Sequence, residues 1–402
     1  MPDHTSSLPL KRELLLVLGV ALFLSLVSIW LQVQVSPGPM TLGEDIWQKK
    51  LDLHLDAYPF KLRPFQSYAT LFLHEQLGLS IRNSFFILQY TLALLIALAF
   101  YVLLRRLRFD RTWAMIGLIL LLTAYPILGA HWAPTHTWDD FWGYLFITLS
   151  LLAVLRDRPL QAGLWLLLAA IARETNVIFV PLVLFPLWKP AEPKRRALIL
   201  ACGLAPLVVA GAIRLLWGAD EDFSRWAWHL NYNFETALRV NDTIVSLIIA
   251  FGPLWVLSLI GFFQVKNDTT TPHRSLLLWG YAVSVPLHLA FGLAGGMARE
   301  TRLLFPPFVF LIPLATLALR SLVARIKTGW TKKPKYLPLE ALVVLCIVGV
   351  VAASEWLFPT FDYGTNAAIR RPLAGIYLGM IVWLGWVYLI TRRREPTRQP
   401  GD

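Results

Sequence analysis

The chain has 402 residues, of which 56% are hydrophobic and only 15% charged, and it carries a formal net charge of +12. A soluble fold of that balance would hold far more apolar surface than it could bury, so a soluble enzyme is excluded and a lipid bilayer must take the surplus. The two cysteines, Cys202 and Cys346, fall in apolar stretches where a thiol behaves as a small hydrophobe, and no disulfide framework or zinc site is implied.

Charge-poor runs of about 20 residues cross a bilayer as helices. In chain order they are expected at 14–33, 84–104, 113–130, 141–155, 160–172, 177–188, 197–217, 243–265, 275–298, 303–319, 341–358 and 372–391. The reading is an all-α polytopic membrane protein of about twelve transmembrane helices, one transmembrane domain over 1–402 with no separate soluble domain. The first run follows Lys11-Arg12, as a signal peptide would. Its apolar stretch is too long for a signal core and Gln32 to Pro39 offers no small-residue cleavage site, so a retained signal anchor is expected. The runs at 160–172 and 177–188 are too short to cross alone, and read as one broken helix or as a tight hairpin of short helices.

Lys and Arg mark orientation, because cytoplasmic loops carry the excess. With the N-terminus inside, 24 of the 37 basic residues fall on the inner side and 13 on the outer, while the acidic residues divide the other way. Arg105, Arg106, Arg108 and Arg111, then Lys194 to Arg196, Lys332 to Lys335 and Arg392 to Arg394 sit at successive inner span ends. The basic balance is therefore a topology signal that anionic lipid headgroups would satisfy, and nucleic acid is not an expected partner. The expected placement is a prokaryotic cytoplasmic (inner) membrane with both termini cytoplasmic.

Two outer segments, 34–83 and 218–242, are too long for plain connections. In the first, Gln66 to Leu79 sets Tyr68, Leu71, Phe72, Leu77 and Leu79 among polar residues, which predicts a juxtamembrane helix at the interface. In the second, Trp226, Trp228, Tyr232 and Phe234 interleave with Arg225, His229 and Glu235 in the same manner.

The candidate chemistry lies in the outer loops. Glu44 and Asp45 open the first, followed by Asp52 and Asp56; helical spacing from Gly43 places Asp45, Asp52 and Asp56 broadly on one face, as a base or metal site would need. The acids could equally complement the dipole of a surface helix. Asp139 and Asp140 follow His131 and His136 between two apolar spans, where they could cap the next helix or hold a divalent cation, although the spacing matches no specific ligand motif. A near repeat is more informative: Ala172-Arg173-Glu174-Thr175 recurs as Ala298-Arg299-Glu300-Thr301, followed by Arg302. Charges at a helix mouth are costly unless paired or hydrated, so each repeat reads as a phosphate-binding arginine with its partner, or as a structural ion pair. Mid-span ionisable residues are few, with His288 the clearest and read as a hydrogen-bonded packing residue. That scarcity counts against ion-coupled transport.

Taken in order, these features resemble the GT-C superfamily of integral membrane glycosyltransferases, which includes protein mannosyltransferases and the lipid A aminoarabinose transferase. The resemblance covers most of the chain and rests on Gly43-Glu44-Asp45, on Asp139-Asp140, on the short helices around Arg173-Glu174, and on Arg299 to Pro307. It implies a polyprenyl-phosphate-linked sugar as donor and an acceptor glycan, lipid or protein on the extracytoplasmic face, joined by a single inverting displacement. By that resemblance Asp45, or Glu44, is the general base, Arg173, Arg299 or Arg302 stabilises the leaving lipid phosphate, and Glu174 and Glu300 orient them. A lipid-linked glycan flippase or transporter and a non-catalytic membrane subunit are the alternatives. A flippase needs a polar path through the bilayer, and a subunit needs no gathered charges.

Overall fold

The computed structural model describes residues 10–35, 42–56, 60–132, 138–188, 192–217, 222–297, 300–329, 348–349, 353 and 367–392. In chain order the α-helices are α1 (Leu10–Val35), α2 (Glu44–Asp56), α3 (Pro64–Leu77), α4 (Ile81–Arg106), α5 (Arg111–Leu122), α6 (Tyr125–Trp132), α7 (Asp140–Leu155), α8 (Pro159–Ala172) and α9 (Phe179–Trp188). They continue as α10 (Pro193–Trp217), α11 (Asp222–Phe234), α12 (Ala237–Phe251), α13 (Leu254–Asn267), α14 (Arg274–Ala294), α15 (Phe308–Gly329) and α16 (Ala367–Arg392). Short 3₁₀ turns occupy Phe60–Leu62, Glu174–Ile178 and Thr301–Leu304, and no strand occurs among the described residues.

Among the described residues five helical stretches are long and apolar enough to cross a bilayer: Arg12–Leu31, Ile81–Arg106, Pro193–Leu216, Arg274–Ala294 and Phe308–Ile326. The bent pair α12–α13 makes a sixth if it counts as one crossing. These elements fit a helical membrane protein, and where the described runs at 113–130, 243–265 and 303–319 depart from the expected unbroken spans the departure has a local cause. The run at 113–130 divides into α5 and α6 at Thr123, whose hydroxyl donates back to the Ile119 carbonyl at 2.8 Å, just ahead of Pro126. The run at 243–265 breaks at Gly252-Pro253, where Gly252 has φ 51° and the proline has no N–H to donate; α12 and α13 meet at 59°. The indole of Trp255 donates to the Leu247 carbonyl at 2.7 Å. Pro306-Pro307 delays α15 to Phe308, after the 3₁₀ turn. Of the two readings of 160–188, the structure takes the pair of short helices, α8 and α9, joined by a 3₁₀ turn. The run at 341–358 lies outside the described residues apart from 348–349 and 353.

The chain divides into two compact units, one of residues 1–226 with 282–291 and one of 227–281 with 292–402. In the first, α1 lies along α4 with the chain reversed: Tyr101 Oη donates to Glu13 Oε2 at 3.0 Å, and Arg105 Nε stands 3.5 Å from the same oxygen. α7 and α8 form a hairpin whose turn closes through Arg158 N–H to the Ala153 carbonyl, at 2.9 Å, with Asp157 in the left-handed region at φ 58°. Arg195 at the head of α10 pairs with Asp157. One end of this unit thus collects Glu13, Arg105 and the Asp157–Arg195 pair. The opposite end holds the heads of α4 and α7 and the tail of α8, where the acidic loops enter.

Near that acidic end α3 is turned inside out. Gln66, Ser67 and Thr70 face the protein, and Tyr68 (59% exposed), Phe72 (60%) and Leu77 (62%) face away. The indole N–H of Trp138 donates to Ser67 Oγ and that of Trp142 to Gln66 Oε1, each at 3.0 Å. Pro64 starts the helix at a position that needs no N–H, and Gly78, at φ 66°, ends it in a left-handed cap.

In the second unit α13 and α15 approach to backbone contact. A Cβ built on Gly261 would stand 2.1 Å from the Leu314 carbonyl oxygen, so only glycine fits. α12 packs on α16, where Arg370 Nη1 stands 3.3 Å from Asp242 Oδ1. Asn233 ties the end of α11 to the tail of α14 by donating to the Leu293 and Gly296 carbonyls at 2.7 and 2.9 Å. Gly261→Ala is therefore expected to destabilise the protein by about 1–3 kcal/mol, read as a lower thermal midpoint in detergent. Gly385→Ala, where nothing lies within 4 Å of the added Cβ, is expected to leave that midpoint unchanged or raise it slightly.

Candidate functional site

α2 carries the expected carboxylate face. Trp47, Leu51 and His54, spaced four and three residues apart, are buried, whereas Asp45, Asp52 and Asp56 are exposed on the other side. Gln48 Nε2 donates to Asp52 Oδ1 at 2.8 Å along this face. The helix is anchored by its apolar side, where Trp47 and Leu51 join Ile81, Phe85 and Trp138 in one buried cluster. Burying side chains of that size is worth about 1.5–3 kcal/mol each. The rings of Trp138 and Phe85 stack at 4.5 Å.

The two acids considered as a base have different surroundings. The Glu44 carboxylate accepts the N–H of Ile81, first residue of α4 and one of the amides that a helix start leaves without an internal partner. Asp45 is exposed at the head of α2.

Asp139 and Asp140 correct the capping expectation. Asp139 stands at the N-cap of α7, but its backbone, at φ −106° and ψ −10°, is near-helical rather than extended, and its side chain makes no capping bond. Its Oδ2 instead lies 3.7 Å from His54 Nδ1, and Asp140 pairs with Arg173. All four side chains are buried.

The α7–α8 hairpin makes this possible. Arg173 follows the last residue of α8 in extended conformation, φ −159° and ψ 123°, which brings it level with the head of α7. Gly143 leaves room for the neighbouring turn: a Cβ there would stand 2.6 Å from Asn176 Nδ2, which donates to the Ala169 carbonyl at 2.9 Å. Glu174 turns away from Arg173. Arg63 grips it in a two-pronged contact, Nε to Oε2 at 3.1 Å and Nη2 to Oε1 at 2.7 Å, and Arg214 Nη2 stands 3.6 Å from Oε1. Burial alone would push the Glu174 carboxyl up, but Arg63, by charge and by hydrogen bond, and then Arg173 and Arg214 hold it down at about 2.

The result is one connected charge chain in which sequence neighbours take different partners: His54 to Asp139, Asp140 to Arg173, Glu174 to Arg63 and Arg214. Arg214 is about a third exposed, at 31%, and Arg63 and Arg173 are nearly covered. The second repeat belongs to the other unit. Arg299 lies outside the described residues, and Glu300 accepts from Arg302 through Nε at 3.2 Å and Nη2 at 2.6 Å. The Arg-Glu pairing expected within each repeat is thus replaced, in the first, by pairing across elements. His288 Nδ1 stands 2.9 Å from the Ser284 carbonyl, and its ring lies 5.1 Å from that of Phe179.

Among the described residues no group of three or more His, Cys, Asp and Glu could hold a metal ion, and His136 lies outside them. Sequence reasoning gave no role to His54 or Arg63. His54 had a signal, since it sits on the apolar stripe of α2 with Trp47 and Leu51. Arg63 had none, because its partner is 111 residues away.

Glu174→Gln removes the carboxylate that Arg63 and Arg214 share and is expected to destabilise the protein by up to about 3 kcal/mol at neutral pH. A carboxyl lowered from 4.5 to about 2 contributes stability above 4.5 that is lost as pH falls through 2. Thermal unfolding should therefore show a constant gap between variant and wild type from about pH 5 to about pH 8 that closes under more acid conditions. Compared with known proteins, the chain matches no family model, no curated protein and no solved structure.

Proposed function

We propose that this chain is an integral membrane glycosyltransferase that moves a sugar from a polyprenyl-phosphate donor to an acceptor on the extracytoplasmic face of a prokaryotic cytoplasmic membrane. The observation that supports this reading is the pairing of Asp140 with Arg173 and of Asp139 with His54 on the buried face of α2, the helix whose opposite face carries the exposed carboxylates, at the end of the first unit opposite Arg105 and Arg195. A flippase reading draws less support, since the charged groups gather at helix ends rather than along a path between them.

In this reading Asp45 is the general base. Glu44 has a holding role through Ile81 N–H, whereas Asp45 is exposed and able to meet an acceptor. The acceptor oxygen attacks the anomeric carbon as Asp45 removes its proton, and the bond from that carbon to the lipid phosphate oxygen breaks with inversion. The departing phosphate takes its stabilisation from arginine. Arg302 and Arg299 keep the role that the resemblance gives them, Arg214 is a separate candidate within the first unit, and Arg173 serves to hold Asp140.

The test is transfer from a panel of labelled polyprenyl-phosphate hexoses and pentoses by protein in lipid nanodiscs. Asp45→Asn, at matched expression and thermal midpoint, is expected to lower transfer about 10²- to 10⁴-fold, the range for a lost general base. Glu44→Gln is expected to lower the thermal midpoint together with transfer. Full transfer by Asp45→Asn would sink the assignment, and movement of donor across the bilayer without transfer would favour the flippase.

A further inference from the structure

His54 lies at the centre of a layered stack of side chains drawn from four parts of the first unit. The Arg63 guanidinium stands over the Phe60 ring at 6.0 Å, Phe60 packs on His54 at 4.6 Å, His54 stacks on Trp138 at 4.7 Å with the planes 24° apart, and Trp138 stacks on Phe85 at 4.5 Å. The imidazole is buried, and its Nδ1 faces Asp139 Oδ2 at 3.7 Å. It belongs to the last turn of α2, the helix whose other face carries Asp45, Asp52 and Asp56.

We infer that His54 is a positioning residue: it fixes the buried face of α2 against Asp139, and through it the orientation of the carboxylate face opposite, and it holds more tightly when its ring is protonated. The neutral ring contributes stacking and shape. The protonated ring adds an ion pair with Asp139 and attraction to the faces of Trp138 and Phe60, and imidazole is the side chain that changes charge near neutral pH. The charged and histidine side chains at this end of the elements packed around α2 are Asp139 and Asp140 at the head of α7, Lys61 and Arg63 at the Phe60–Leu62 turn, Arg82 on α4, and His74 and Glu75 on α3, while Arg105 and Arg106 lie at the far end of α4. Asp140 pairs with Arg173 and Arg63 with Glu174, and Asp139 faces the ring with Oδ2 at 3.7 Å from Nδ1. His74 is engaged within its own turn, with Nδ1 2.6 Å from the Leu79 carbonyl.

The inference rests on the proposed role of Asp45 for its functional meaning, but its test needs no sugar donor. Hydrogen exchange of the amides of 44–56 is measured on the full chain in phosphatidylglycerol–phosphatidylethanolamine nanodiscs at pH 6 and pH 8, corrected for the intrinsic rates. Wild type is expected to exchange about tenfold more slowly at the lower pH, the size of one charge-assisted contact. His54→Gln should exchange equally at both, and Asp139→Asn, which keeps the ring stack, should lose the difference as well; if His54→Gln does not fold, Asp139→Asn decides alone. Equal protection of wild type at the two pH values, or an undiminished difference in Asp139→Asn, would overturn the inference while leaving the transfer assay to judge the glycosyltransferase reading separately.

Discussion

Where the Asp140 carboxylate meets the Arg173 guanidinium, the α7–α8 hairpin is fastened at its open end, and the neighbours of these two residues are committed by the same contact. Fixing Asp140 on Arg173 turns Asp139 toward His54 and α2; fixing Arg173 turns Glu174 toward Arg63 and Arg214. Three carboxylates and three guanidiniums are gathered there, so the group is formally neutral with His54 uncharged. That balance matters because an isolated buried charge costs several kcal/mol, whereas a matched and hydrogen-bonded set recovers most of the loss. Such a cluster adds little net stability over an apolar core. What it adds is geometric definition, because each member tolerates few other positions.

The aromatic layer beneath the charges has a complementary role. Trp47, Phe85 and Trp138 supply buried apolar area where the polar cluster cannot, and their stacking sets the height at which α2 lies over the heads of α4 and α7. Ser67 and Gln66 accept the indole N–H groups of Trp138 and Trp142, while the indole N–H of Trp47 is buried without a hydrogen-bond partner among the described residues. The second unit follows another logic, in which helices meet through small residues: Gly261 lies against the backbone of Leu314, and Gly280 leaves room for the Phe310 ring.

Much of this was legible in the chain. Apolar runs located the long helices, and the spacing of Asp45, Asp52 and Asp56 correctly placed them on one side of α2. The length of each crossing was less legible, because Thr123, Gly252-Pro253 and Pro306-Pro307 sit inside runs whose average composition is unbroken. Pairing was the least legible. Asp139-Asp140 looked like a cap because a cap is a local arrangement, but the backbone at Asp139 is unsuited to one, and both carboxylates went to distant partners. Arg173-Glu174 looked like an ion pair because the residues are adjacent. Adjacent side chains on an extended or 3₁₀ backbone diverge, and each was drawn to a charge that the hairpin and α3 brought within reach.

The inside-out α3 carries a consequence for how this region tolerates change. In a soluble helix the interior positions accept one apolar residue for another and the exterior accepts almost anything polar. Here the rule is reversed: Gln66, Ser67 and Thr70 occupy interior positions where Gln66 and Ser67 serve as acceptors for indole N–H groups, and Tyr68, Phe72 and Leu77 sit where bulk and greasiness are the only requirements. Sequence drift along α3 should therefore look conservative on its polar side and permissive on its aromatic side. A residue-by-residue tolerance map of this helix would read as the photographic negative of a globular one.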